Sequence, residues 1–337
     1  MIKMKALVLN QITSKLETIK VENSTLGNTQ VAIKIVAASI NHHELWSLNE
    51  KNLFSDSHVI MGSDGSGVIE EIGRDITKFK IGDEVIINPS IHWGNNDKVH
   101  GEDYEILGFP TNGTFAERVV IDQEYVYNKP KHLSFYEAAA LPLAGLTAYR
   151  GLYTRGELKK HNKVLITGIG GGAALYVLLF AVASGAEVYV TSSSDAKIEK
   201  AIELGAKGGI NYKLSDWSMR LKEQARGFDV IIDSAGGPEF FKLTELCNPG
   251  GRIALFGRTA GKITNLNPSI IFWKQLSIHG TTMGNDAEFQ SMLDLITSKR
   301  VKPIIDSVFA ARDINQAFEK MNEGRQFGKI VIDMLDF

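Results

Sequence analysis

The sequence has one cysteine, Cys247, in 337 residues. A single thiol excludes an intrachain disulfide and every cysteine-rich zinc site. Cys247 sits in LTELCNPGGRI, just before a loop and with no histidine close in sequence, so it reads as an inert thiol at a helix end. An excess of one charge is also missing. Lys and Arg number 37, Asp and Glu 39, and the net charge of −2 leaves no basic stripe for nucleic acid and no polybasic face for a membrane. No apolar run approaches the ~20 residues that span a bilayer. The longest, VLLFAVASGA at 177–186, is interrupted by Gly185. The opening MIKMKALVLN has charge and then alternation, which is a strand start and not a signal peptide, so a cytoplasmic location is expected.

What is present is ordinary for a globular chain: 44% hydrophobic and 23% charged residues, with length for about two domains. Residues 1–128 carry short alternating or apolar runs (KALVL, QVAIKIVAASI, GVIEEIG, DEVIIN, FAERVVI) punctuated by Gly, Asn and Asp. They predict a β-rich domain, a partly closed barrel. The stretch SFYEAAALPLAGLTAYRGLY at 134–153 reads as helical, with Ser134 as N-cap and Glu137 three residues on. From 164 onward strands and helices alternate: KVLITG, EVYVTS, GGIN, DVIIDSAG, RIALFG and LSIHGTTM are the strands. That alternation predicts a doubly wound parallel sheet with right-handed crossovers. After 285 come two amphipathic helices and a last strand, GKIVIDM. The expected division is 1–128 and 285–337 for the first domain, with 129–284 inserted as a dinucleotide-binding domain.

The segment ITGIGGGAA contains Gly168, Gly170, Gly171, Gly172 and Ala173 as G-x-G-x-x-A, directly after an apolar strand and opening a helix. Small residues there let the backbone approach a pyrophosphate, whose charge is met by N–H groups at the helix N-terminus. About 20 residues on, NAD sites place an acid for the ribose 2′-OH. This chain has Thr191, Ser192, Ser193 and Ser194 there, followed by Lys197. Hydroxyls and an ammonium suit the 2′-phosphate of NADPH. In the alternative reading the serines only cap the helix that follows.

Together these segments, with AASINHHELW (37–46), MGSDGSGVIEEIG (61–73), GTFAERVVI and FGKIVI, resemble the medium-chain dehydrogenase/reductase superfamily, in its zinc-free quinone/enone reductase branch. The resemblance covers nearly the whole chain. It implies an α/β fold: a GroES-like β-rich catalytic domain and a Rossmann domain. Zinc enzymes of that superfamily carry G-H-E where this chain has Gly62-Ser63-Asp64, a cysteine at the position of Asn41, and a last ligand near Leu143 or Ala144. All three ligand positions hold non-ligands, so no metal is expected at this site. In 90–108, where such enzymes hold a structural zinc lobe, His92, His100, Glu102 and Asp103 are read as solvated loop residues.

By the same resemblance Asn41 lies beside the nicotinamide, as a substrate or carboxamide donor or as a turn residue. His43 takes the position of a proton-relay hydroxyl. His42 reads as structural, and Trp46 and Tyr149 as cleft wall or core. Thr147, Thr281 and Met283 are placed on the nicotinamide side. Tyr212 lies by the adenosine phosphate. Ser234, Phe256, Gly257 and Arg258 stand at the carboxyl edge of the sheet, Arg258 being alternatively a surface cation, and Lys329 is expected to close over the phosphates or else to be a solvated lysine at a strand start. The implied activity is NADPH-dependent, zinc-independent hydride transfer to a quinone or α,β-unsaturated carbonyl by a homodimer. The alternative is a non-catalytic NADPH-binding sensor or structural protein. Substrate-cleft shape is expected to depend on 46–60 and 88–112.

Overall fold

The computed structural model describes residues 3–10, 13–49 and 59–337; most of the expected cleft loop at 46–60 therefore lies outside the described residues. The chain forms two compact units, 1–143 with 285–337, and 144–284.

In the first unit a sheet runs in the order Ile305–Ala310, Lys329–Asp333, Gln30–Ser39, Asp64–Ile72, Glu84–Ile87, Val126–Asn128, and Arg118–Asp122 also pairs with Gln30–Ser39. Pairing is antiparallel except between the first two strands. A separate hairpin joins Lys3–Asn10 to Lys15–Glu22. Alternation puts Val31, Ile33, Ile35, Ile69 and Phe115 into one apolar core. The long strand Gln30–Ser39 ends where Ser39 pairs with Asp64, and this register sets the candidate site.

The second unit holds six parallel strands ordered Gly208–Asn211, Glu187–Ser192, Lys163–Ile166, Phe228–Asp233, Cys247–Leu255, Ser277–Gly280. In chain order this is 3-2-1-4-5-6, the doubly wound Rossmann arrangement, whose strand order reverses beside the first strand. The apolar run at 177–186 is mostly the buried side of helix Gly172–Ala183, packed on the first two strands, so its hydrophobicity serves the sheet. No helix among the described residues is long and apolar enough to cross a membrane.

Several local expectations change. The predicted break at 128/129 falls after Leu143, because helix Phe135–Ala139 packs on strands Gln30–Ser39 and Asp64–Ile72. The stretch 134–153 is not one helix. Its capping box between Ser134 and Glu137 forms, but the first helix ends at Ala139 and Pro142 begins a second, running to Tyr149. Proline is at home at a first helical position and disruptive further in. Arg150–Arg155 continues as a π-helical turn. Among the elements without a sequence expectation are strand Ile305–Ala310 and helices Pro268–Lys274 and His42–Asn49.

Gly67 shows why the 61–73 segment is rich in glycine. A Cβ there would lie 2.1 Å from the Lys34 carbonyl oxygen of the paired strand. Gly67→Ala is expected to destabilise the first unit by about 2–4 kcal/mol, since backbone cannot yield as a side chain can. Equilibrium denaturation of wild type and variant measures it, and a change under 0.5 kcal/mol would count against the close approach.

Candidate functional site

The chemistry-bearing residues of the first unit collect at the ends of three strands. Lys329 opens strand Lys329–Asp333 and is 4% exposed, while Asp64, opening its own strand, is 0% exposed. Lys329 Nζ donates to Asp64 Oδ2 (3.0 Å), to the Ile40 carbonyl (3.0 Å) and to Asn41 Oδ1. Asp64 Oδ2 also accepts from Ser39 Oγ (2.8 Å) and Asn41 Nδ2 (2.9 Å), and Asp64 Oδ1 from the Leu143 N–H (2.7 Å). Every ammonium proton is engaged, so none is left for a phosphate. The expectation that Lys329 closes over the phosphates gives way to a structural role beside Asp64.

Asn41 is held from both ends of its amide, with one N–H committed to Asp64. Its backbone N–H donates to Glu44 Oε2 (2.8 Å), and Glu44 Oε1 accepts from the Ser63 N–H (2.9 Å). Glu44, 1% exposed, thus locks the 41–44 and 61–64 stretches together. It was missed in sequence, although Asn followed three residues later by Glu is the N-terminal pattern of a helix. Here that helix is His42–Asn49. The His42 pKa lies below the ordinary imidazole value: burial lowers it first, and the Lys329 charge adds to it. Its ring lies 6.3 Å from that of Trp46. His43 Nε2 and Ser63 Oγ are buried with no hydrogen-bond partner among the described residues.

This donor set does not fit a zinc ion. An amide and a hydroxyl are weak zinc ligands beside thiolate and imidazole. The carboxylate between them is already neutralised by an ammonium. Among the described residues no group of three or more His, Cys, Asp or Glu is placed to hold a metal. In 90–108 the loop closes on rings instead: His100 stacks on Tyr104 at 4.4 Å, and Trp93 meets Tyr104 edge-on at 5.4 Å.

In the second unit the glycine loop fits a dinucleotide. Gly168 and Gly170 have φ of +66° and +122°. A Cβ on Gly171 would meet nothing within 4 Å, so space lies open at the helix start. Gly171 is the N-cap and supplies no side chain, which leaves the N–H groups from Gly172 and Ala173 onward without a side-chain acceptor. Lys197 reaches this loop: its Nζ would be 3.2 Å from a Cβ on Gly170. Ser192 turns inward at 3% exposure, and its Oγ accepts from the Ser194 N–H (3.2 Å), a local turn bond. Ser193 is half-buried, and Tyr212, 42% exposed, donates its N–H to the Ser192 carbonyl. At the carboxyl edge Ser234 Oγ donates to the Thr167 carbonyl (3.0 Å), and a Cβ on Gly257 would strike the Ser234 carbonyl at 1.8 Å. Phe256 donates its N–H to the Asp233 carbonyl, and Arg258 is exposed. Thr147 Oγ1 donates to Met283 Sδ (3.6 Å), and Thr281 Oγ1 is buried with no hydrogen-bond partner among the described residues. Tyr149 packs on Tyr153 with centroids 4.7 Å apart. Cys247 is buried, and its thiol is pushed up to about 12 by desolvation, which keeps it protonated and inert.

Residues 27–131 match the alcohol dehydrogenase GroES-like domain family and residues 172–298 the zinc-binding dehydrogenase family. The zinc-type alcohol dehydrogenase-like protein YogA of Leptosphaeria maculans is 35% identical, covering 91% of this chain and 91% of the relative. The chain belongs to the medium-chain dehydrogenase/reductase superfamily. It is an oxidoreductase of that superfamily. A crystal structure of an NAD-dependent alcohol dehydrogenase superposes with TM-score 0.91 at 30% identity, covering 98% of this chain and 99% of that one. The 2-octenoyl-CoA carboxylase reductase CinF, solved with NADP and 2-octenoyl-CoA, gives TM-score 0.86 at 25% identity, covering 98% and 87%. The superfamily therefore includes both alcohol dehydrogenases and reductases of conjugated thioesters.

Breaking the buried pair from one side leaves an uncompensated charge. Lys329→Met or Asp64→Asn alone is expected to cost about 3–5 kcal/mol, and the double variant to recover most of that. Denaturation of the four proteins gives the coupling; additive losses would show that the pair is not an energetic unit.

Proposed function

We propose that this oxidoreductase is an NADPH-dependent reductase that works without a catalytic metal and delivers hydride to a quinone or an α,β-unsaturated carbonyl. The observation that carries the reading is the Lys329–Asp64 pair: its ammonium is hydrogen-bonded to Asn41 and its carboxylate belongs to the residue next to Ser63, and Asn41 and Ser63 are two of the positions where zinc-dependent members of the superfamily carry ligands. Oxidising a simple alcohol needs strong stabilisation of an alkoxide, which a metal supplies. A conjugated acceptor takes hydride at carbon and spreads the charge to oxygen, so hydrogen-bond donors suffice. CinF, solved with an enoyl thioester, supports this acceptor class.

When bound, the reduced nicotinamide supplies the hydride. In the binding reading, the Gly168–Gly172 loop and the N-terminus of helix Gly172–Ala183 hold the pyrophosphate, and Ala173 permits close helix packing. Lys197 adds positive charge, and Ser193 and Tyr212 border the adenosine side. Ser234, Phe256, Gly257 and Arg258 contribute from the strand ends, and Thr147, Thr281 and Met283 from the nicotinamide side. His43 acts on the substrate, and Asn41 can do so only through its second amide N–H, the other N–H and the oxygen being held by Asp64 and Lys329. Reduction of a small enone and quinone panel by NADPH, after exhaustive chelation, tests the activity. No turnover on any acceptor, or restoration only by zinc, would overturn it. The proposed setting is the cytoplasm.

Lys197→Ala is expected to weaken NADPH binding about 5- to 30-fold, the equivalent of about 1–2 kcal/mol for a partly exposed charge-assisted contact. Titration of cofactor fluorescence measures it. An equal loss for NADH would assign the lysine to the shared pyrophosphate and not to the 2′-phosphate, and no loss for either would remove it from the site.

A homodimer is part of the proposal. Strand Ser277–Gly280 ends the sheet, and Phe272 and Trp273 in the helix that precedes it in sequence are 58% and 80% exposed. An open edge together with exposed aromatics favours pairing with a second copy. Trp273→Glu is expected to shift light scattering from dimer to monomer at micromolar concentration; a wild-type monomer would count against the dimer.

A further inference from the structure

Ser63 stands out because everything around it is fixed. It is 0% exposed, and its Oγ has no partner among the described residues. The Met61 and Gly62 carbonyls accept from the N–H groups of Phe115 (2.9 Å) and Thr114 (2.8 Å). Thr114 Oγ1 donates to the Asp64 carbonyl (2.7 Å), and Glu44 takes the Ser63 N–H. Gly62 turns at φ +100°, where a Cβ would lie 2.4 Å from the Phe115 ring. The backbone therefore cannot shift to find the hydroxyl an acceptor. A buried hydroxyl left unpaired is destabilising, so its partner has to be something admitted beside it, a ligand oxygen or a water.

The same holds for His43 Nε2, the other orphan on the stretches that Glu44 joins. Asn41 is less free, since its carbonyl and one N–H are spent on Lys329 and Asp64.

We propose that Ser63 is a catalytic hydrogen-bond donor to the carbonyl oxygen of the substrate, with His43 Nε2 as a second group on that oxygen. The inference rests on the reductase reading above. As hydride arrives with its electron pair at the β-carbon, a C–H bond forms. The C=C pair shifts to give an enolate, and the reduced nicotinamide is oxidised. Ser63 keeps its proton and stabilises the enolate oxygen by hydrogen bonding; a proton from water completes the product at the α-carbon.

The test uses full-length wild type, Ser63→Ala and Ser63→Cys, the last filling the same space with a poor donor. Infrared difference spectra of carbonyl-labelled 2-cyclohexenone bound with NADP⁺ report the C=O stretch, and turnover is measured with NADPH. The expected result is a lower stretching frequency in wild type than in either variant. A fall in kcat of roughly 100-fold should accompany it, with NADPH affinity within about twofold of wild type. If Ser63→Ala does not fold, Ser63→Cys gives the same comparison. An identical stretch in all three proteins, or unchanged kcat, would assign the hydroxyl to a water only and overturn the proposal. Absence of enone turnover in wild type would overturn the underlying reductase reading instead, whereas wild-type turnover indifferent to Ser63 would overturn this inference alone.

Discussion

The ion pair between Lys329 and Asp64 holds together parts of the chain that sequence separates by 265 positions. Burying two charges is expensive, and the cost is offset only when geometry is good and the remaining hydrogen-bonding capacity is met. Here it is met: the lysine has three acceptors, and the carboxylate has Ser39, Asn41 and the Leu143 N–H besides. The pair therefore fixes the ends of three strands and the start of helix Pro142–Tyr149 at once. It also sets the electrostatics of the site. A neutralised carboxylate has little left to offer a divalent cation, and the ammonium, adding to burial, lowers the pKa of His42.

Around this fixed cluster, Glu44 does for the backbone what Lys329 does for the side chains. It ties the N-terminus of helix His42–Asn49 to Ser63. Gly62 and Gly67 let the 61–73 segment run against Phe115 and Lys34. Their spacing is then a packing requirement of this sheet, and it does not depend on whether a metal is bound. That explains how a segment shaped for metal binding in zinc enzymes of the superfamily can stand with serine in it.

Much of this was legible in the sequence, and the exceptions have physical causes. The glycine loop could be read because strand, turn and helix each leave a local pattern, and the loop has positive φ at Gly168 and Gly170. The alternating strands of both units were visible for the same reason. Helix Pro268–Lys274 was not: none of its residues is buried, so no apolar stripe marks it, and only Asn267 with Pro268 at its start gave a signal. Strand Ile305–Ala310 has no buried residue, being half-exposed except for exposed Val308, and lacks alternation. Lys329 was misread because a lysine at a strand start gives no hint of a carboxylate distant in sequence. Ser192 and Ser193 illustrate a finer limit. Composition at a strand end can identify hydroxyls, but only the backbone decides that one points inward to the Ser194 N–H while its neighbour remains half-exposed.

The same distinction bears on the chemistry. Sequence identifies missing ligands, and from missing ligands alone one could infer an inactive remnant. The structure adds that the vacated positions are unequal. Asn41 has been absorbed into the ion-pair network, whereas Ser63 and His43 each retain a buried polar atom without a partner among the described residues. A site adapted only for stability would be expected to lose such atoms, since replacing an unpaired buried hydroxyl by a methyl group relieves a desolvation penalty. Their survival beside a network in which Lys329, Asp64 and Glu44 are all matched is what would be expected of a surface that meets its partner only when substrate arrives.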